Sequence, residues 1–91
     1  MAYEMEWGIR IYTANYCPYC EKAIVMLFKE GYSFNVIDVT SHEEVTKELE
    51  DMTGCKTVPQ IFVDGRFIGG CSDLERLLKS GEFTRIYIGE E

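Results

Sequence analysis

Residues 61–68, IFVDGRFI, constrain the fold more than any other stretch of this chain. Two β-rich runs, Ile61-Phe62-Val63 and Arg66-Phe67-Ile68, flank Asp64-Gly65, a dipeptide suited to a two-residue hairpin turn. Runs joined so tightly must pair antiparallel. The first forty residues impose a different demand. Ile9 to Thr13 alternates and is rich in β-formers, so it predicts a strand, and Ala14 to Pro18 follows as a loop. From Tyr19 to Glu30 the residues Cys20, Ala23, Ile24, Leu27 and Phe28 recur at helical spacing, and Gly31 stops that helix. Ser33 to Val39, SFNVIDV, predicts a second strand. A strand–helix–strand unit of this kind closes as a right-handed parallel crossover. A sheet that holds both the crossover and the hairpin is mixed.

Two more helices complete the pattern. Ser41 is the expected N-cap of the first, with Glu44 as its capping-box partner and Val45, Leu49 and Met52 facing inward, and Gly54 follows its end. After Gly69-Gly70, Ser72 and Glu75 form the same Ser-x-x-Glu signature ahead of a stripe of Leu74, Leu77 and Leu78, which Gly81 closes. The order is β-α-β-α-β-β-α, an α/β chain with a small four-stranded mixed sheet and helices packed on it. One domain spans residues 1–91, with its core over about 9–80; the ends, 1–8 and 82–91, receive no element. Apolar residues make up 46% of the chain, enough to support a modest core at this length. The net charge of −7, with scattered Lys and Arg, excludes a nucleic-acid partner of the usual phosphate-binding kind. No apolar stretch is long enough to span a bilayer, so no membrane partner is expected. The first eight residues, MAYEMEWG, carry two acids and no base and do not read as a signal peptide, so a cytoplasmic location is expected.

The chemistry concentrates at Cys17-Pro18-Tyr19-Cys20. Cys17 falls where a strand-exit loop becomes a helix, at the positive end of the helix dipole. That position favours a thiolate, so Cys17 is expected to titrate below a free thiol. Cys20 lies one turn later on the apolar face, near enough to bond to Cys17. The expected division is an exposed nucleophile, Cys17, and a sheltered resolving thiol, Cys20. Pro18 suits the first helical turn, where a missing N–H costs nothing. Zinc held by Cys17, Cys20, Cys55 and Cys71 is the weaker alternative, because structural zinc draws on two tight knuckles and Cys55 and Cys71 stand apart. A purely structural disulfide does not suit a reducing compartment.

Ile11-Tyr12-Thr13, Cys17-Pro18-Tyr19-Cys20, Thr57-Val58-Pro59-Gln60 and Gly69-Gly70-Cys71-Ser72-Asp73-Leu74 together resemble the dithiol glutaredoxins of the thioredoxin-like superfamily, in register from about Ile9 to Leu78. The resemblance implies a thioredoxin-like fold with helices on both faces of the sheet. It implies a redox-active Cys17–Cys20 disulfide, a cis peptide before Pro59, and a glutathione site built from Tyr19, Lys56, Thr57, Val58, Pro59, Gly70, Cys71, Ser72 and Asp73. Val58 would pair with the tripeptide as an added strand does. Gly70 to Asp73 would hold its γ-glutamyl end, with Asp73 on the ammonium, and Lys56 would meet the glycine carboxylate. Two positions depart from the family's habit: Ala14 stands where Lys is common, and Glu21 where a base is common. Both changes work against a thiolate, so Cys17 is expected to be less acidified than is usual in the family.

The implied activity is glutathione-dependent thiol–disulfide oxidoreduction, with glutathione as co-substrate, no tightly bound cofactor and no metal. Glutathionylated or disulfide-bonded proteins are the expected partners, and a monomer the expected state. Reduction by thioredoxin reductase, and a dimer sharing a [2Fe–2S] cluster through Cys17 and glutathione, are the alternatives. Retention of the TVPQ and GGCSD segments counts against the first, and Pro18-Tyr19 against the second. Cys71 is expected mainly to pack at a helix start, His42 to be exposed and idle, and Cys55 has no assigned role. Trp7 and Tyr87 are expected to cover an edge of the core, while Glu4, Glu6, Glu90 and Glu91 solvate the ends.

Overall fold

The computed structural model describes residues 8–89, in the order β1 (Ile9–Thr13), α1 (Pro18–Lys29), β2 (Phe34–Asp38), α2 (Glu43–Thr53), β3 (Gln60–Val63), β4 (Arg66–Gly69), α3 (Cys71–Ser80) and α4 (Glu82–Tyr87). The sheet order is β2-β1-β3-β4. β1 pairs parallel with β2 and antiparallel with β3, and β3 pairs antiparallel with β4, so the sheet is mixed as the crossover and hairpin require. Asp64 and Gly65 both take positive φ, 51° and 83°, the backbone that a two-residue turn needs to match strand twist. A bulge then shifts the β3–β4 register, since Ile61 faces Gly69 while Phe62 faces Phe67. Among the described residues no helix is long and apolar enough to cross a membrane.

Strand alternation splits the sheet into two faces. Ile9 and Ile11 of β1 and Ile61 and Val63 of β3 join Ala23 and Leu27 of α1, Leu74 and Leu77 of α3, and Phe83 of α4 in the main core. On the opposite face Tyr12 and Phe62 meet edge-to-face, with ring centroids 5.6 Å apart. The Arg10 guanidinium lies over both rings. Helix α2 reaches this second face through Thr53, whose hydroxyl bonds Gln60 of β3. Helices therefore cover both faces, α1 and α3 on one and α2 on the other, which is the thioredoxin-like arrangement.

The structure moves several sequence expectations. Ser41 does not cap α2. It occupies a turn closed by the His42 N–H on the Val39 carbonyl, with φ 68°, so the helix opens one residue later with His42 as an N-cap that makes no side-chain capping bond. Ser72 does not cap α3 either. Gly70, in extended backbone, is the N-cap, and Asp73, three residues on, accepts its N–H at 3.0 Å. The Ser-x-x-Glu pattern misplaced the start because a glycine without a capping side chain borrows a carboxylate from the first turn. Met52 is 68% exposed, not inward; Leu49 is buried, and Thr53, a full turn further, takes the inner position. Phe28 is 74% exposed, because Cys20, Ala23 and Leu27 already fill the face that α1 turns to the sheet. Leu78 is half-buried beside the fully packed Leu74. The region after Gly81 holds a short helix, α4, whose Phe83 is buried against Tyr32. Tyr87 also stacks on Tyr32, at 4.8 Å, as an edge cover should. Trp7, Glu4, Glu6, Glu90 and Glu91 lie outside the described residues.

Candidate active site

Cys17 is the N-cap of α1, with Pro18 at the first helical position. The role falls to a cysteine because its side chain reaches forward as serine would. Its Sγ accepts the Cys20 N–H at 3.2 Å, one of the helix-end donors that have no partner within the helix. The same sulfur lies 3.5 Å from the Val58 carbonyl, to which the thiol donates. The Cys17 N–H donates in turn to the Ala14 carbonyl at 3.3 Å. Ala14 is buried and Glu21 exposed, so the first-turn acid points to water.

Cys20 is only 2% exposed. Burial first, then the hydrogen bond to the Cys17 side chain, pushes its thiol up to about 12. Both cysteines are free thiols, and the two differ sharply in access. Cys71 is buried at the start of α3, as expected for a packing residue, and burial raises its thiol while Lys22 pulls in the opposite direction. Cys55 is exposed in the loop after α2. Among the described residues no three His, Cys, Asp or Glu side chains cluster to hold a metal ion.

A groove of about 350 Å³ runs between the start of α1 and the start of α3. Tyr19, Thr57, Val58, Pro59, Gly70, Cys71 and Ser72 line it, so seven of the sequence-derived binding residues share one surface. The Val58–Pro59 peptide is cis. Lys56 instead lines an adjoining hollow with Tyr16, Cys17 and Pro18, which meets the groove at Thr57 and Val58. Asp73 is not part of the groove wall; one carboxylate oxygen holds the Gly70 N–H and the other pairs with Arg76 at 3.2 Å. Lys22 and Glu75 line the groove and pair across it at 3.6 Å; neither is among the expected site residues, and Glu75 stands in the sequence only as a helix-start signal. Helical spacing carried the signal: each sits three residues after a residue already placed at the site, Tyr19 and Ser72.

Gly69 and Gly70 are required for different reasons. A Cβ on Gly69, at φ 120°, would drive into the Asp73 carboxylate, and one on Gly70 would stand 3.3 Å from the Pro59 carbonyl. Gly69→Ala is expected to displace the carboxylate that caps α3 and to cost about 1–2 kcal/mol, combining the lost cap with left-handed strain. A thermal melt shifted by less than about 2 °C would contradict this.

A family model described as Glutaredoxin matches residues 9–68. The chain belongs to the glutaredoxin family. Glutaredoxin 3 of Escherichia coli (strain K12) is 41% identical over 70 residues, covering 77% of this chain and 84% of the relative. The solution structure of a glutaredoxin from Brucella melitensis superposes with a TM-score of 0.81 at 35% identity, covering 93% of this chain and 94% of that one. A buckwheat glutaredoxin–glutathione complex shares the fold, with a TM-score of 0.87 at 22% identity, over 97% of this chain and 84% of that one. This glutaredoxin is thus an oxidoreductase of the thioredoxin-like superfamily, and its fold places Cys17 at the mouth of α1.

Proposed function

We propose that this glutaredoxin reduces protein–glutathione mixed disulfides through Cys17 alone, and protein disulfides through Cys17 with Cys20, with glutathione as the reductant. One observation carries the reading. The sulfur that accepts a helix-end N–H also touches the Val58 carbonyl, on the wall of a groove that ends at the Gly70–Ser72 turn. A γ-linked tripeptide fits such a surface, with its backbone along Val58 and an anionic end near the first N–H groups of α3. Lys56, beside Cys17, supplies a cation for the other carboxylate. The glutathione complex of the buckwheat relative supports the same class of ligand.

In the first reaction the Cys17 thiolate attacks the glutathione sulfur of the mixed disulfide. The bond between that sulfur and the protein sulfur breaks, the protein leaves as a thiolate that takes up a proton, and Cys17 holds the glutathionyl group. A second glutathione thiolate attacks the held sulfur, glutathione disulfide departs, and Cys17 is restored. In the second reaction Cys17 bonds one sulfur of a protein disulfide and releases the other. Cys20 then attacks Cys17, the protein leaves fully reduced, and two glutathiones reduce the Cys17–Cys20 bond. Cys17 accounts for two of the influences that hold the Cys20 proton, its hydrogen bond and its charge, and both vanish once Cys17 is tied up in a mixed disulfide.

The test is turnover of a small glutathione mixed disulfide, with reduction supplied by glutathione and its reductase in one arm and by thioredoxin reductase in the other. Turnover is expected in the glutathione arm, at least tenfold above the other. Equal or greater rates with thioredoxin reductase would replace glutathione as the reductant in this scheme.

A further inference from the structure

Gln60 opens β3 on the face turned towards α2 and is 2% exposed, one of two buried polar residues among those described. Its side chain does not join the sheet ladder. The amide nitrogen donates to the Cys55 carbonyl at 2.9 Å and to the Thr57 carbonyl at 3.1 Å. Two carbonyls can only accept, so this fixes which end of the amide is nitrogen. The amide oxygen faces the Thr53 hydroxyl at 3.1 Å. That hydroxyl also lies 2.8 Å from the Leu49 carbonyl and accepts the Cys55 N–H at 3.1 Å. One buried amide therefore ties both ends of the 55–57 loop to the last turn of α2. Val58 follows directly, and its carbonyl meets the Cys17 sulfur at 3.5 Å.

We propose that Gln60 is a positioning residue for the redox reaction: it holds the loop carrying Lys56, Thr57 and Val58 in the place where the groove and the Cys17 sulfur meet. Among the described residues the other hydrogen bond to this loop is the one from the Cys17 thiol to the Val58 carbonyl. Lys56 and Thr57 are exposed, and the hydrogen bonds that secure the loop from within the protein converge on Gln60 and Thr53. Only a side chain of this length with two N–H donors and one acceptor satisfies the set. Glutamate offers no donor, and asparagine falls a methylene short. The inference rests on the proposed glutathione reading only where substrate binding is concerned. The ordering of the loop does not depend on it.

Two variants test it in the full chain. Gln60→Met keeps length and removes every polar contact, and Thr53→Val removes the hydroxyl that braces Gln60 while keeping the β-branch. Backbone order parameters of Lys56, Thr57 and Val58 are expected to fall from about 0.85 to below about 0.6 in Gln60→Met. The KM for a glutathionylated substrate is expected to rise about tenfold while kcat stays within about threefold. Alkylation of Cys17 by iodoacetamide, which needs no groove, should stay within about twofold. Thr53→Val should move the same readings in the same direction by a smaller factor, and decides the matter if Gln60→Met does not fold. Unchanged loop order together with unchanged KM in the folded variants would overturn the proposal. So would alkylation of the buried Cys20 and Cys71 appearing in step with the loss of activity, the mark of general unfolding. If the unmodified chain does not turn over the glutathione substrate, the functional reading fails by itself and loop order alone judges Gln60.

Discussion

Cys17→Ser is expected to abolish reduction of both glutathionylated proteins and protein disulfides, by at least roughly 10³-fold in kcat/KM, because the attacking sulfur is gone. Cys20→Ser is expected to keep the first activity and lose the second by a comparable factor. The reason is the asymmetry between two sulfurs on one helical turn. Cys17 accepts the Cys20 N–H and borders the open hollow beside Lys56, so incoming disulfides reach it. Cys20 is 2% exposed, and its thiol is pushed up to about 12 by burial and by its bond to Cys17. At neutral pH it keeps its proton, so it does not compete for the first attack. In the proposed scheme it acts only on a disulfide already formed at Cys17. Rates on a glutathionylated protein and on a protein disulfide, measured side by side for both variants, check the division. If Cys20→Ser lost de-glutathionylation as completely as Cys17→Ser, the assignment of nucleophile and resolving thiol would be wrong.

Phe83→Ala is expected to be the most damaging change away from the site. Phe83 is fully buried in the main core, with its ring 5.0 Å from that of Tyr32. Removing a buried phenyl ring costs about 3–5 kcal/mol, against a total stability of roughly 5–15 kcal/mol for a domain of this kind. Helix α4, at 6 residues, is too short to hold by propensity, so its attachment depends on packing, and Phe83 is its one fully buried side chain, with Ile86 and Tyr87 only partly covered. The melting temperature should fall by more than about 10 °C, and Tyr32 and Tyr87 should lose their packed environment together. A fall of less than about 3 °C would mean that α4 does not carry the weight assigned to it.

The helix start next to Pro18 was legible in the sequence, whereas both Ser-x-x-Glu capping signals failed. Cys17 stands where the sequence put it, at the start of α1, because proline next door leaves little choice of helix start. Ser41 and Ser72 carry the same kind of signal, and neither caps, because a turn after β2 and the Gly70–Asp73 pair decide those starts. The groove residues were legible as motifs, whereas the bonds of Asp73 to the Gly70 N–H and to Arg76 came only with the structure. Lys22 carries no motif and Glu75 only the Ser-x-x-Glu signature, so the packing of α1 against α3 was needed to bring both to one groove.

The sequence by itself determined the order of the first seven elements, the hairpin turn and the placing of Cys17 and Cys20 one helical turn apart, because each is written in neighbours a few residues apart. Only the tertiary structure decided that Phe83 belongs to the core, that Lys56 stands in the hollow beside Cys17, and that Gln60 ties down the loop between. Those outcomes depend on groups far apart in the chain, and burial, which sets their energies, exists only once the sheet and helices have closed around them.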